Sequence, residues 1–105
     1  TTVREADGLA MSSRNVYLSA DERVRAAAMY RALNHAAAMI REGEVIGHEM
    51  TEAREMLVEA GFMVDYIEAR HAETLERIAR RIEGPIRLLA AAKLGQTRLI
   101  DNIAV

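Results

Sequence analysis

Asp7-Gly8-Leu9-Ala10-Met11-Ser12-Ser13-Arg14-Asn15, close to the start of the chain, puts a glycine, two adjacent hydroxyls and an arginine into one short loop-like stretch. That set suits an anionic oxygen cluster such as a phosphate. Ser12 and Ser13 can each donate a hydroxyl and a backbone N–H. Arg14 supplies a planar, permanently charged fork that matches phosphate geometry. Gly8 lets the loop take backbone angles that other residues avoid. On residue types alone the stretch also reads as an ordinary polar turn, because short motifs specify function loosely.

Other polar groups have blander readings. Glu5, Asp7 and Glu22 are scattered over loop and helix cap, where solvated or capping roles are expected. His35, His48 and His71 are far apart in sequence and lack metal-ligand spacing, so they read as structural or surface groups and no metal ligand is assigned. Arg70, Arg77, Arg80, Arg81 and Arg87 form a basic run. It reads either as an RNA-binding face or as a solvated helix face paired with Glu73, Glu76 and Glu83. Asp101-Asn102 has no nucleophile, cation or histidine beside it in sequence. A buried polar role that fixes the sheet is the expectation there.

These groups need elements to position them. Thr1 to Tyr17 has no sustained period and reads as a short extended piece plus loop. Ser19 with Glu22 makes a capping box. The apolar stripe Ala26, Met29, Tyr30, Leu33, Ala37, Ile40 then predicts one helix over about residues 20–42, stopped by Gly43. A second helix is predicted from Gly47 or His48 to Ala60, with Gly61 ending it and Phe62 folding back on its last turn. The short connection favours an antiparallel helix pair. Residues 62–70 read as a strand, 72–81 as a further short helix, and Glu83-Gly84-Pro85 as a break. Residues 86–94 and 97–105 flank Gly95-Gln96 as a tight hairpin. Two helices packed on a small antiparallel sheet of about three strands, with the further short helix, make an α+β domain.

The composition agrees with a single globular domain of 105 residues, half of them hydrophobic and 29% charged. With 4% aromatic residues, the core must be aliphatic. A net charge of −2 favours neither nucleic acid nor an anionic membrane as partner. The absence of cysteine excludes disulfides and thiolate metal sites and permits a reducing compartment. No apolar run is long enough to span a bilayer. A start at Thr1-Thr2-Val3 without methionine suggests a piece of a longer protein.

The wording of both ends is more specific. Thr2-Val3-Arg4-Glu5-Ala6-Asp7-Gly8-Leu9-Ala10-Met11-Ser12-Ser13-Arg14-Asn15, followed by Tyr17-Leu18, resembles the segment that opens the C-terminal domain of the pantothenate synthetase family. Leu94-Gly95-Gln96-Thr97-Arg98-Leu99-Ile100-Asp101-Asn102 is similar to that domain's closing hairpin. The resemblance spans essentially the whole chain, sharp at both ends and loose in the middle.

The resemblance implies a C-terminal lid domain. Residues 1–17 would be its mobile phosphate-binding loop and hinge, and residues 18–105 its helical and hairpin body. The family reaction is an ATP- and Mg²⁺-dependent ligation of pantoate and β-alanine through a pantoyl-adenylate. Val3 would contact the adenine through its main chain, and Met11, Ser12, Ser13 and Arg14 would line the phosphate side, with Ser12, Ser13 and Arg14 acting in catalysis. In the family such a loop plays the part of the Lys-Met-Ser-Lys-Ser loop of related nucleotidyltransferases; the stretch here lacks lysine, leaving Arg14 as its only cation. The implied partner is an N-terminal nucleotide-binding domain that holds most of the ATP and Mg²⁺ contacts. The implied full enzyme is a cytoplasmic homodimer, and the piece alone is expected to be inactive. The alternative is a free-standing interaction or RNA-binding module using Arg70–Arg87.

Overall fold

In a computed structural model that describes residues 3–105, the helical part of the chain begins where its capping signals place it. Thr1 and Thr2, the start of the expected loop and hinge, lie outside the described residues. Ser19 Oγ accepts the Glu22 N–H at 3.1 Å, and the Glu22 carboxylate accepts the Ser19 N–H at 3.0 Å, completing the capping box. The expected helix over 20–42 is in fact two, α1 (Ala20–Ala26) and α2 (Ala28–Arg41). Ala27 between them stays right-handed, with φ −61 and ψ −18. The apolar stripe runs through the break unchanged, and nothing in the types of Ala26, Ala27 and Ala28 signals it.

Helix α3 (Ile46–Glu59) follows after a short turn and packs on α2. Its end is a Schellman motif: the Phe62 N–H donates to Leu57 O and the Gly61 N–H to Val58 O, each at 3.0 Å. Gly61 takes φ +97, which costs a glycine little, and Phe62 folds back into the core as expected.

Strands β1 (Met63–His71), β2 (Ile86–Leu94) and β3 (Thr97–Ala104) form an antiparallel sheet in the order β1-β2-β3. Leu94 pairs with Thr97 across the two-residue Gly95-Gln96 turn. The inner face carries Ile67, Leu88, Ala90, Ala92, Leu94 and Leu99 against Met29, Leu33, Ile40 and Leu57 of the helices. Fully burying one such aliphatic side chain contributes roughly 1.5–3 kcal/mol, so this aliphatic layer is what holds helices to sheet. The outer face carries Tyr66, Leu89 and Ile100, and Ile100 is 56% exposed.

The expected helix over 72–81 is absent. The chain turns back on itself there, and the segment ends in a 3-10 turn, Arg81–Glu83. His71 Nδ1 accepts the N–H groups of Glu73 and Thr74, Thr74 Oγ1 accepts that of Glu76, and Leu75 takes φ +62. Side-chain acceptors here capture the N–H groups that a helix would use. The apolar spacing is served otherwise: Ile78 is buried, while Leu75 and Ile82 are exposed.

Glu49, in the first turn of α3, is 1% exposed, and its Oε1 has no hydrogen-bond partner among the described residues. Burial pushes its carboxyl above the ordinary range, and the negative charge of Glu52 adds to the shift. A raised folded-state value favours the neutral acid, so the stability that Glu49 allows is present at low pH and is lost as pH rises through that value. Glu49→Gln should therefore raise the urea midpoint of the chain at about pH 7 and have much less effect at about pH 3.5, where both states are protonated. An effect of equal size at both pH values would contradict this account.

Candidate functional site

Residues 3–11 fold as a small hairpin. The Met11 N–H donates to Val3 O at 2.8 Å and the Glu5 N–H to Leu9 O at 2.8 Å, while Asp7 Oδ1 accepts the Leu9 N–H at 3.2 Å. Gly8 closes the turn with φ +93, and a Cβ there would lie 2.5 Å from Tyr30 Cδ2. Only glycine allows both the angle and the contact. Leu9 enters the core.

Arg4 locks this hairpin to the body. Its Nη1 donates to Asp101 Oδ2 at 2.6 Å and its Nη2 to Asp101 Oδ1 at 2.8 Å. Nη1 also reaches Gly8 O at 3.0 Å, and the guanidinium lies 4.1 Å from the centre of the Tyr30 ring. The Asp101 side chain is 2% exposed, so this is a desolvated, two-bond ion pair. The expected burial of Asp101 is borne out, but with Arg4 as its cation it ties the N-terminal hairpin to β3 instead of strand to strand.

A second network holds the far side. Asn15 is buried; its Nδ2 donates to Glu5 Oε2 and, at 3.0 Å, to Ala10 O. Glu5 also pairs with Arg23 of α1. Hydrogen bonds first from Arg23 and then from Asn15 hold the Glu5 carboxyl below its ordinary range. Glu5, expected to be solvated or a cap, is instead a partly exposed member of this network, whereas Glu22 caps α1 and Asp7 caps its own turn.

Between these anchors Met11, Ser12, Ser13 and Arg14 stand exposed. Ser12 is extended, and its Oγ accepts the Arg14 N–H at 3.2 Å, opening a 3-10 turn over Ser13–Tyr17. Among the described residues Arg14 has no carboxylate partner; its Nη1 makes only a 3.5 Å contact to Arg98 O. Arg14 lines two clefts. One, of about 340 Å³, also has Met11, Ser12, Asn15 and Arg98 in its wall. The other, more open and about 720 Å³, includes Tyr17 and the Gly95-Gln96 turn. The structure therefore places Met11, Ser12 and Arg14 along one cleft wall, while Ser13, exposed beside them, lines neither cleft. Val3, 64% exposed, joins them through its pairing with Met11 but lines neither cleft.

Sequence reasoning missed Arg4, Asn15 and Arg98 as parts of this site. Arg4 and Asn15 lie inside the recognisable N-terminal wording, but their partners become visible only once β3 and α1 are placed.

The basic run is only partly one face: Arg77, Arg70 and Arg87 are cross-strand neighbours, whereas Arg81 turns to the end of α2. Arg70 pairs with Glu68, Arg81 donates to Ile40 O and Arg41 O at the end of α2, and Arg87 reaches Asn102 Oδ1 at 2.6 Å. The expected pairing with Glu73, Glu76 and Glu83 on a helix is replaced by these contacts. His35 and His48 are exposed, and His71 shapes its turn. Ligand-type atoms of His48, Glu49 and Glu52 lie within 4.8 Å of one another, a proximity that reading the histidines singly overlooked. His48 and Glu52 already form an i,i+4 pair at 3.2 Å. Among the described residues no helix is long and apolar enough to cross a membrane.

The profile of the Pantoate-beta-alanine ligase family matches residues 1–104. A pantothenate synthetase of Rhodopseudomonas palustris is 64% identical over 104 residues, 99% of this chain and 37% of its own length. Pantothenate synthetase 2 of Bradyrhizobium diazoefficiens is 60% identical over the same shares. The crystal structure of pantothenate synthetase from Thermus thermophilus superposes with a TM-score of 0.88 at 38% identity, covering 97% of this chain and 37% of that one. The chain thus spans a little over a third of the length of these relatives.

Breaking the Arg4 clamp should be costly. Removing one partner of a buried ion pair destabilises by about 3–5 kcal/mol, and Arg4→Ala should fall near the lower end because Arg4 keeps some solvent contact. Arg4→Lys should recover little, since an ammonium cannot form the two-bond fork. Urea unfolding of the chain measures both, and a loss below about 1 kcal/mol for Arg4→Ala would place the clamp among weak surface pairs.

Proposed function

The chain belongs to the pantoate-beta-alanine ligase family, and we propose that it is the C-terminal lid domain of an enzyme joining pantoate to β-alanine at the expense of ATP. Residues 1–17 serve as loop and hinge over residues 18–105. The observation that carries the reading is Arg14: an exposed guanidinium without a carboxylate partner among the described residues, beside two exposed hydroxyls, on a short loop anchored at both ends.

In this reading a pantoate carboxylate oxygen attacks the α-phosphorus of ATP and pyrophosphate leaves. The β-alanine amine then attacks the acyl carbon of the pantoyl-adenylate and AMP leaves. Negative charge gathers on phosphate oxygens in the first step. Arg14, the hydroxyls of Ser12 and Ser13 and their backbone N–H groups stabilise that charge when the domain, carrying this anchored loop, closes over the nucleotide. Met11 lines the same side, and the Val3 main chain meets the adenine. The N-terminal nucleotide-binding domain, the cytoplasmic setting and a homodimeric full enzyme belong to the same proposal.

Mg²⁺ does not fit the residues of this loop. The carboxylates around it are already engaged: Glu5 by Arg23 and Asn15, Asp101 by Arg4, Glu22 by the Ser19 N–H. The ion that accompanies ATP is assigned to the N-terminal domain. The RNA-binding alternative is weakened because Arg70, Arg81 and Arg87 of its basic run are already bonded within the chain, although Arg77, Arg70 and Arg87 lie side by side.

In the full-length enzyme Arg14→Ala should slow pyrophosphate release by ten- to a hundredfold or more, since a charge-assisted hydrogen bond contributes about 1.5–3 kcal/mol. Ser12→Ala and Ser13→Ala should be milder, because each keeps its backbone N–H. An unchanged rate in Arg14→Ala would remove this loop from the site.

The 105-residue chain alone should bind Mg-ATP more weakly than about 1 mM, about −4 kcal/mol, because one loop supplies only one wall of a pocket. Calorimetric titration tests this. A micromolar dissociation constant abolished by Arg14→Ala would mean that the chain holds a complete nucleotide site.

A further inference from the structure

We propose that Asn15 is a positioning residue whose side-chain amide closes the base of the Met11–Arg14 loop and ties it to α1, thereby setting where Ser12, Ser13 and Arg14 project. The inference rests on the reading of that loop as phosphate-facing.

The geometry is specific to a primary amide. Asn15 is 6% exposed, and its Nδ2 donates to two acceptors, Glu5 Oε2 and, at 3.0 Å, Ala10 O. Ala10 and Asn15 are the residues immediately before and after the exposed segment. The second bond therefore joins the two ends of the loop directly. The first passes the anchor on: Glu5 is also held by Arg23, so the chain of contacts runs from α1 through Glu5 and Asn15 to Ala10.

Both neighbours of Nδ2 are acceptors, a carboxylate and a carbonyl, so only the NH₂ end of the amide can face them. Its Oδ1 is left buried without a partner among the described residues. Burying an unpaired acceptor is unfavourable, and the amide keeps this orientation because turning it over would set oxygen against two oxygens. Neither aspartate nor leucine can replace it. Aspartate brings a second carboxylate against Glu5, and leucine leaves both acceptors without a donor.

The main chain adds a second link at the same place. The Asn15 N–H donates to Ser12 O at 3.2 Å and Asn15 O accepts the Leu18 N–H at 3.2 Å, so Asn15 also sits within the 3-10 turn that presents Arg14. A side chain that shifts here shifts the turn with it. Ser12, Ser13 and Arg14 would remain present in such a variant but would be misaimed, and a small displacement of positioned groups is enough to cost activity.

The test is steady-state kinetics of the full-length enzyme with ATP and pantoate varied in turn, together with thermal unfolding. Asn15→Asp should raise the KM for ATP about tenfold or more and lower kcat, with the KM for pantoate unchanged. Adding Glu5→Gln to Asn15→Asp should recover part of the ATP KM, because the new amide can donate to the new carboxylate. If Asn15→Asp fails to fold, Asn15→Ser, which keeps one donor, is read the same way and should show a smaller rise in the same parameter. Activity loss that only follows lowered melting, with the ATP KM unchanged and no recovery from Glu5→Gln, would overturn the proposal. Arg14→Ala measured alongside separates the two readings. If Arg14→Ala is impaired while the Asn15 variants keep a normal ATP KM, the Asn15 inference alone fails. If Arg14→Ala is unimpaired, the phosphate-facing reading fails first.

Discussion

The Arg4–Asp101 ion pair is the constraint on which the site depends. It joins residues 97 positions apart, binding the start of the chain to the last strand. Without it the hairpin over residues 3–11 would rest on Leu9, on the contacts of Glu5 and Ala10 with Arg23 and Asn15, and on a few backbone bonds. With it, the guanidinium touches β3, α2 and the turn at once, through Asp101, Tyr30 and Gly8. The close approach of Gly8 to Tyr30 follows from the same arrangement, because the ring that Arg4 stacks on is the ring that a Cβ at Gly8 would strike. Two features that look unrelated in sequence, a turn glycine and a buried aspartate, are therefore parts of one joint.

The contrast between anchored and exposed residues gives the joint its meaning. Arg4 and Asp101 neutralise each other away from water, and Glu5 and Arg23 pair at the half-exposed edge, with Asn15 between them and the loop. Arg14 is compensated by none of these carboxylates. Beside these paired charges, the Arg14 guanidinium and the Ser12 and Ser13 hydroxyls stand exposed together on one short loop, a pattern suited to an anion brought from outside.

Much of the fold was legible in the sequence because its signals are local. The capping box at Ser19, the glycine stop before Phe62 and the two-residue turn at Gly95 each act over a few residues, and each appears as read. The failures are also physical. The break at Ala27 leaves no mark in a run of alanines. The absent helix after His71 was a matter of competition: the apolar spacing favoured helix, but His71 Nδ1 and Thr74 Oγ1 captured the amides first. The loop residues Met11 to Arg14 could be named from their types and wording. Their supports could not, since an arginine and an asparagine carry no sign of a partner across the fold.

This division between legible and illegible residues follows from how the site is built. Groups that meet a ligand must be exposed and chemically suited to it, so their types announce them. Groups that aim those residues are chosen for what they reach inside the protein. Asn15 illustrates the second kind. Its side chain follows directly on Ser12-Ser13-Arg14, yet its amide points away from solvent, spends both donors on internal acceptors and leaves a buried oxygen unpaired. An unpaired buried acceptor is a cost that packing alone does not explain, and an apolar residue of similar volume would avoid it. What such a residue could not supply is a donor for both Glu5 and Ala10 O. The loop's shape, rather than the core's stability, is the property that this arrangement preserves.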